Sequence, residues 1–148
     1  MLWRLRIQRP RFSRKVSNSD SRAIYSARAA GNGFAPAERV NGLNLASAGN
    51  PSIARDGSFL ILSGIVEGRA SDLFISFLDG DSWTPAKNLG DSVNSTFAEF
   101  APALSPDGKY LFFTSERPGV AGATAEGCPP GDIYQIELRA IQGIEWPQ

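Results

Sequence analysis

The feature that most limits how this chain can fold is that it repeats itself. PSIARDGSFLILSG (Pro51 to Gly64) lies over PALSPDGKYLFFTS (Pro102 to Ser115). Proline matches proline, Asp56-Gly57 matches Asp107-Gly108, and Phe59-Leu60-Ile61 matches Tyr110-Leu111-Phe112. Upstream, SRAIYSAR from Ser21 lies over SDLFISFL from Ser71. GFAPAERV then lies over SWTPAKNL, with Phe34 on Trp83 and Pro36 on Pro85. GDIYQIEL (Gly131 to Leu138) is a third copy of the element at Ser71. A shared period of roughly 50 residues marks a repeat architecture, in which each unit buries its apolar face against its neighbours.

Each unit consists of strands. PALS and YLFFTS are short β-rich runs around the turn Pro106-Asp107-Gly108, where Asp bonds nearby backbone and Gly takes a positive φ. YLFF and FLIL are nearly continuous apolar runs, as expected of strands covered on both faces. DLFISFL and DIYQIEL are third strands. SWTPAKNLG carries a proline, which suits an outer edge strand. Ala23 to Ala30 is alanine-rich and helical by propensity, but the repeat match assigns it to a strand. Four-stranded units of about 40–50 residues are the blades of a β-propeller. The predicted fold is therefore all-β, built of four-stranded antiparallel blades. A β-sandwich is the alternative, but it does not require such a period.

Composition agrees. Fifteen Gly and ten Pro suit many tight turns, and a 42% hydrophobic share is enough for a packed core. Nowhere is there an apolar run near the ~20 residues of a membrane helix. Net charge is zero, from 15 bases and 15 acids, but it is unevenly placed. Arg4, Arg6, Arg9, Arg11, Arg14 and Lys15 face only Asp20 in residues 1–20, so the rest is acidic. A basic arm of that kind touches nucleic acid or anionic lipid, or is simply solvated. The second reading is preferred, and no nucleic-acid partner is expected. MLWRLRIQRPRFSRK has no apolar stretch of the 7–15 residues a secretory signal needs. The chain has no histidine, which removes Ser-His-Asp and Cys-His arrangements and the commonest transition-metal ligand. A single cysteine, Cys128, excludes an intrachain disulfide. No cofactor, metal site or catalytic residue is predicted.

SPDGKYLFFTSERPG followed by GDIYQIEL, and preceded by SWTPAKNLGDSVNSTFAEFAPAL, resembles the TolB-type, WD-repeat-like propeller repeat. The likeness is strong from Ser71 to Leu138 and weaker from Ser21 to Gly64. There are departures. Ala54-Arg55 stands where the family has Ser-Pro, Gly64 to Arg69 replaces Arg-Pro-Gly, and Val120 to Pro130 is inserted. Counting strands gives half a blade (Arg22 to Val40), a full blade (Asn50 to Asn88) and three strands of another (Phe100 to Leu138). This is about two and a half blades, fewer than the 4–8 of a closed ring. The resemblance implies the C-terminal part of a larger, exported or periplasmic propeller. The expected division is a basic segment over residues 1–20, disordered or one edge strand, and a partial propeller over 21–148. Trp3 to Ile7 has strand periodicity, and residues 2–7 are proposed as an edge strand on the last blade.

Glu99 and Arg117 belong to the family pattern. A structural ion pair between neighbouring strands is the default reading, and lining a ligand face is the alternative that makes them the candidate ligand-binding residues. Asp56, Asp72, Asp107 and Asp132 recur with the repeat and are expected as turn and strand-start residues rather than a ring of cation ligands. Asp79-Gly80-Asp81 is expected as a hairpin turn, since a calcium loop needs more oxygen ligands. Asn94-Ser95-Thr96 fits a glycosylation sequon, expected to be incidental. Cys128 is expected as a spare thiol. The leading expectation is a non-catalytic propeller scaffold that binds a protein or cell-envelope ligand through its loops and self-associates because its ring is incomplete. The alternatives are part of a carboxylate-based glycoside-processing propeller, or the propeller of a protease whose catalytic domain lies elsewhere.

Overall fold

The computed structural model describes residues 11–15, 22–65, 70–118 and 131–146. The proposed strand over residues 2–7, Cys128 and the Val120 to Pro130 insert lie outside them. The strands are β1 (Arg11–Lys15), β2 (Arg22–Ser26), β3 (Ala29–Ala30), β4 (Gly33–Phe34), β5 (Glu38–Arg39), β6 (Ser47–Ile53) and β7 (Phe59–Ile65). They continue as β8 (Asp72–Asp79), β9 (Ser82–Trp83), β10 (Lys87–Asn88), β11 (Glu99–Leu104), β12 (Tyr110–Ser115) and β13 (Asp132–Glu137). A single 3₁₀ turn follows over Leu138–Ala140, and the described residues contain no α-helix.

The strands form three successive antiparallel blades. The first is ordered β1-β2-β5, the second β10-β8-β7-β6 and the third β11-β12-β13. With β9 also paired to β8 the second blade is a five-stranded sheet, β3 and β4 form a separate two-stranded sheet, and the described blades do not close a ring. The alanine-rich segment is extended, as β2 and β3, because cross-strand partners overrule its helical propensity. Around Pro85, SWTPAKNLG divides into β9 and β10, both paired with β8. Proline has no N–H to give the ladder, so the outer strand breaks there.

Apolar strands explain the stacking. Leu60, Ile61, Leu62, Leu73 and Ile75 have no exposed surface. Leu60, Leu62 and Phe74 pack with Ile24, Val40, Leu43 and Ala48 between the first and second blades. Ile61, Leu73 and Ile75 pack with Leu89, Val93, Leu111 and Phe113 between the second and third. The run FLIL is apolar throughout because its alternate residues enter two different interfaces. Each such buried side chain is worth about 1.5–3 kcal/mol. On the third blade only one face is filled: β12 alternates, with Leu111, Phe113 and Ser115 buried and their neighbours half-buried. Ile133 is 79% exposed where Leu73, at the same place in the second blade, is fully covered.

The inner strands β6 and β11 share a bulge. The register slips between Gly49 and Ser52, and again between Phe100 and Ala103. Asn50 (φ 48°) and Ala101 (φ 51°) take the left-handed region there, each just before a proline. A side chain in that region costs energy unless its surroundings hold it. Its recurrence at matching positions makes it a property of the repeat.

Candidate functional site

The recurrent Asp-Gly pairs form matching turns. Asp56 Oδ1 accepts bonds from the Ser58 hydroxyl (2.7 Å) and amide (3.0 Å). Asp107 Oδ1 accepts from the Ser105 hydroxyl (2.6 Å) and the Lys109 amide (3.1 Å). The serine hydroxyl is the main cause holding each carboxyl below its ordinary pKa, with the backbone amide second. Gly57 and Gly108 close the turns at φ 77° and 70°. Asp79-Gly80-Asp81 is the hairpin turn between β8 and β9, with Gly80 at φ 57°.

The other recurrent acids differ from one another. Asp132 is exposed at the start of β13. Asp72 is buried, and its Oδ2 accepts from Asn88 Nδ2 at 2.8 Å. Asn88 Oδ1 in turn accepts from the Gly90 amide and from Asn94 Nδ2, both at 2.8 Å. Asn94 imitates a neighbouring strand: its Oδ1 accepts from the Leu73 amide (2.8 Å) and its Nδ2 donates to the Leu73 carbonyl (2.9 Å). Buried and bonded in this way, the sequon asparagine is a structural fastener.

Glu99 and Arg117 meet. Glu99, first residue of β11, has no exposed surface. Its Oε1 accepts from the Ser95 hydroxyl (2.6 Å), the Ser115 hydroxyl (2.6 Å) and Arg117 Nη2 (3.1 Å), while Oε2 accepts from the Ser95 amide (3.0 Å). Arg117 also donates from Nε to Ser115 Oγ (2.8 Å) and from Nη2 to the Val93 carbonyl. Its guanidinium lies 4.8 Å from the Tyr134 ring centre and 5.8 Å from that of Phe113. A buried charge is tolerable only when paired and fully hydrogen-bonded, and this carboxylate satisfies that condition. Its brace ties the loop from Val93 to Ser95 to both β11 and β12. The Arg117 side chain remains 25% exposed.

Reading the sequence alone singled out Glu99 and Arg117 but missed Ser95 and Ser115 as their supports, and Asn88 and Asn94 as the partners of Asp72 and of the Leu73 backbone. The N-L-G and V-N-S stretches carried that signal, since short polar residues beside buried strands need partners. The loop they hold presents Phe97, 41% exposed, with its amide bonded to Ser95 Oγ at 3.1 Å. Among the described residues no three His, Cys, Asp or Glu side chains converge as metal ligands, and no helix is long and apolar enough to cross a membrane.

This architecture is an unclosed segment of a β-propeller. It resembles TolB from Acinetobacter baumannii, with a TM-score of 0.52 and 20% identity, over 86% of this chain and 27% of that one. A putative TolB from Agrobacterium tumefaciens matches with a TM-score of 0.41 and 13% identity, over 88% of this chain and 59% of that one. The chain thus spans less than two thirds of either structure. No protein-family model and no curated protein matches the sequence.

Proposed function

We propose that this chain is a non-catalytic propeller segment that binds a protein or cell-envelope ligand through its loops. The observation that carries this reading is Phe97: a large aromatic left 41% exposed on a loop that Glu99, Ser95 and Arg117 hold in one conformation. Rigid aromatic anchors are enriched where proteins bind partners, because little freedom is lost on contact. In this reading Arg117 adds its exposed edge to the ligand face, and Glu99 orients it from beneath. Asp56, Asp72, Asp107 and Glu99 are each engaged in hydrogen bonds within the fold, which favours the scaffold reading over the glycoside-processing one. An exported or periplasmic setting is part of this reading, and the TolB-type repeat supports it.

The test is a photocrosslinker placed at position 97, exposed to a cell-envelope fraction. A discrete crosslinked partner, lost when Thr96 or the Arg117 edge is masked by a bulky adduct, is expected. Random labelling, or binding unchanged in Phe97→Ser, overturns the reading. Self-association belongs to the same proposal and uses a different surface, the far face of the third blade around Ile133. Sedimentation should show concentration-dependent association that Ile133→Asp weakens; a monomer at all concentrations removes that part.

A further inference from the structure

The second and third blades can be compared strand by strand, because their pairings match. Asp72, Leu73 and Phe74 of β8 lie opposite Gly64, Ser63 and Leu62 of β7; Asp132, Ile133 and Tyr134 of β13 lie opposite Ser115, Thr114 and Phe113 of β12. Asp132 therefore stands where Asp72 stands, and Ile133 where Leu73 stands. The backbone alternation matches too. The Leu78 amide donates to the Ser58 carbonyl and the Leu138 amide to the Lys109 carbonyl, both at 2.8 Å. Alternate residues thus turn their amides and carbonyls away from the preceding strand: Leu73, Ile75 and Phe77 in β8, and Ile133, Gln135 and Glu137 in β13.

In the second blade this outward edge is filled. β10 lies along it, with Asn88 opposite Phe74 and Lys87 opposite Ile75. The Leu73 carbonyl accepts from the Leu89 amide at 3.0 Å and the Phe77 carbonyl from the Thr84 amide at 2.9 Å, while the Phe77 amide donates to Thr84 Oγ1 at 3.0 Å. Asn88 Nδ2 grips the Asp72 carboxylate at 2.8 Å, and Leu89 packs in one core with Leu73. In the third blade the same edge is bare. Among the described residues β13 is the last strand of its sheet, and no hydrogen bond reaches the outward backbone of Ile133, Gln135 and Glu137 or the Asp132 carboxylate. The chain that follows β13 is committed elsewhere. Leu138 and Ile141 are buried between the second and third blades with Ile144 and Trp146 packed against them, and the Gly143 carbonyl accepts from Lys87 Nζ at 2.6 Å.

We propose that the outward edge of β13 binds a polypeptide partner as an added antiparallel strand, through a segment in which a base and an asparagine precede an apolar residue. The unpaired backbone supplies attraction for an extended chain, and the side chains supply the selection. Asparagine reaches Asp132 as Asn88 reaches Asp72, and the apolar residue covers Ile133 as Leu89 covers Leu73. The face that carries Ile75 and Phe77 in the second blade carries Gln135 and Glu137 here, so a base fits the place of Lys87 and an acidic strand is repelled. The proposal goes beyond the Phe97 reading and uses a different surface. It shares Ile133 with the self-association of the third blade, but not Asp132.

Backbone amide NMR and hydrogen exchange of the full chain test it, with an acetylated, amidated peptide copying Ser82 to Gly90 as the probe. Saturable shifts over residues 132–137 and slowed exchange of the Ile133, Gln135 and Glu137 amides are expected. Asn88→Ala in the peptide should weaken binding at least tenfold. Asp132→Ala in the chain, an exposed substitution, should do the same, and the two together should cost little more than either alone. If the chain variant does not fold, the peptide variant decides. Absence of saturable shifts, equal binding of a scrambled peptide, or affinity unchanged by Asn88→Ala or by Asp132→Ala each overturns the proposal. So does slow exchange of the outward β13 amides in the free chain, since its own residues then fill the edge. The peptide does not engage Phe97 and Asp132→Ala keeps Ile133, so failure here leaves the crosslinking and sedimentation results standing, and their failure leaves the edge testable.

Discussion

The two junctions between blades use the same backbone frame with opposite chemistry. In one, Ala48 lies opposite Gly64 across β6 and β7; in the other, Glu99 lies opposite Ser115 across β11 and β12. At the first junction the space is closed by carbon. A side chain on Gly64 would place its Cβ 2.7 Å from Leu45 Cδ1 and 3.1 Å from the Phe74 ring. At the second the space is closed by a carboxylate, two hydroxyls and a guanidinium. Apolar packing and a saturated polar network are alternative ways to fill one repeat position, but a mixture of the two is not tolerated. A carboxylate without donors, or donors without a carboxylate, leaves buried polar groups unpaired.

The largest effect should come from breaking the polar junction. Glu99→Ala strands the Ser95 amide, both hydroxyls and Arg117, and is expected to lower stability by about 3–5 kcal/mol in urea unfolding. The reciprocal change, Ala48→Glu, buries a charge with no partner and should cost a similar amount. Adding Gly64→Ser and Leu45→Ser to it supplies donors and should recover part of the loss. Full tolerance of Ala48→Glu alone would end the comparison.

A smaller effect is expected from overfilling the apolar junction. Gly64→Ala pushes on the ends of Leu45 and Phe74, which give way in part, and should cost about 1–3 kcal/mol. Leu45→Ala in the same chain should relieve that cost, so the double variant is more stable than the sum of the single changes allows.

Smaller still is the change at the tail that caps the second junction. Trp146 packs edge-on against Phe59 and Phe77 at 5.4 and 6.4 Å, and its buried indole N–H has no hydrogen-bond partner among the described residues. Trp146→Phe loses some contact but removes that unpaired donor. Its thermal unfolding should match the parent to within about 1 kcal/mol.

The smallest effect is a pH dependence that treats the blades alike. Asp56 and Asp107 have folded-state pKa values depressed by serine and backbone donors. Their stabilisation is present above the unfolded value of about 3.9 and is lost as pH falls through the lower folded value. The thermal midpoint should fall below about pH 4, and Asp56→Asn with Asp107→Asn should flatten that fall. With no histidine in the chain, side-chain titration adds little between about pH 5 and 8.

What the letters determine by themselves is the local part of the repeat. Asp-Gly turns, the apolar runs and the break at Pro85 depend on neighbours within a few residues, so the propeller-like blades were legible before any coordinates. Glu99 and Arg117 were also legible as a pair. Their supports and their burial were not, because those depend on residues from separate strands and from the loop after the preceding blade. Tertiary structure also decided the register of the first blade. By side-chain likeness SRAIYSAR overlays SDLFISFL from its first serine, placing Ala23 on Leu73. The hydrogen bonds place Ile24 there instead. Side chains alternate across a strand, so a slip of one residue moves each to the other face. Which face meets a neighbour is fixed only when the partner strand is in place, and that partner is supplied by chain far away in sequence.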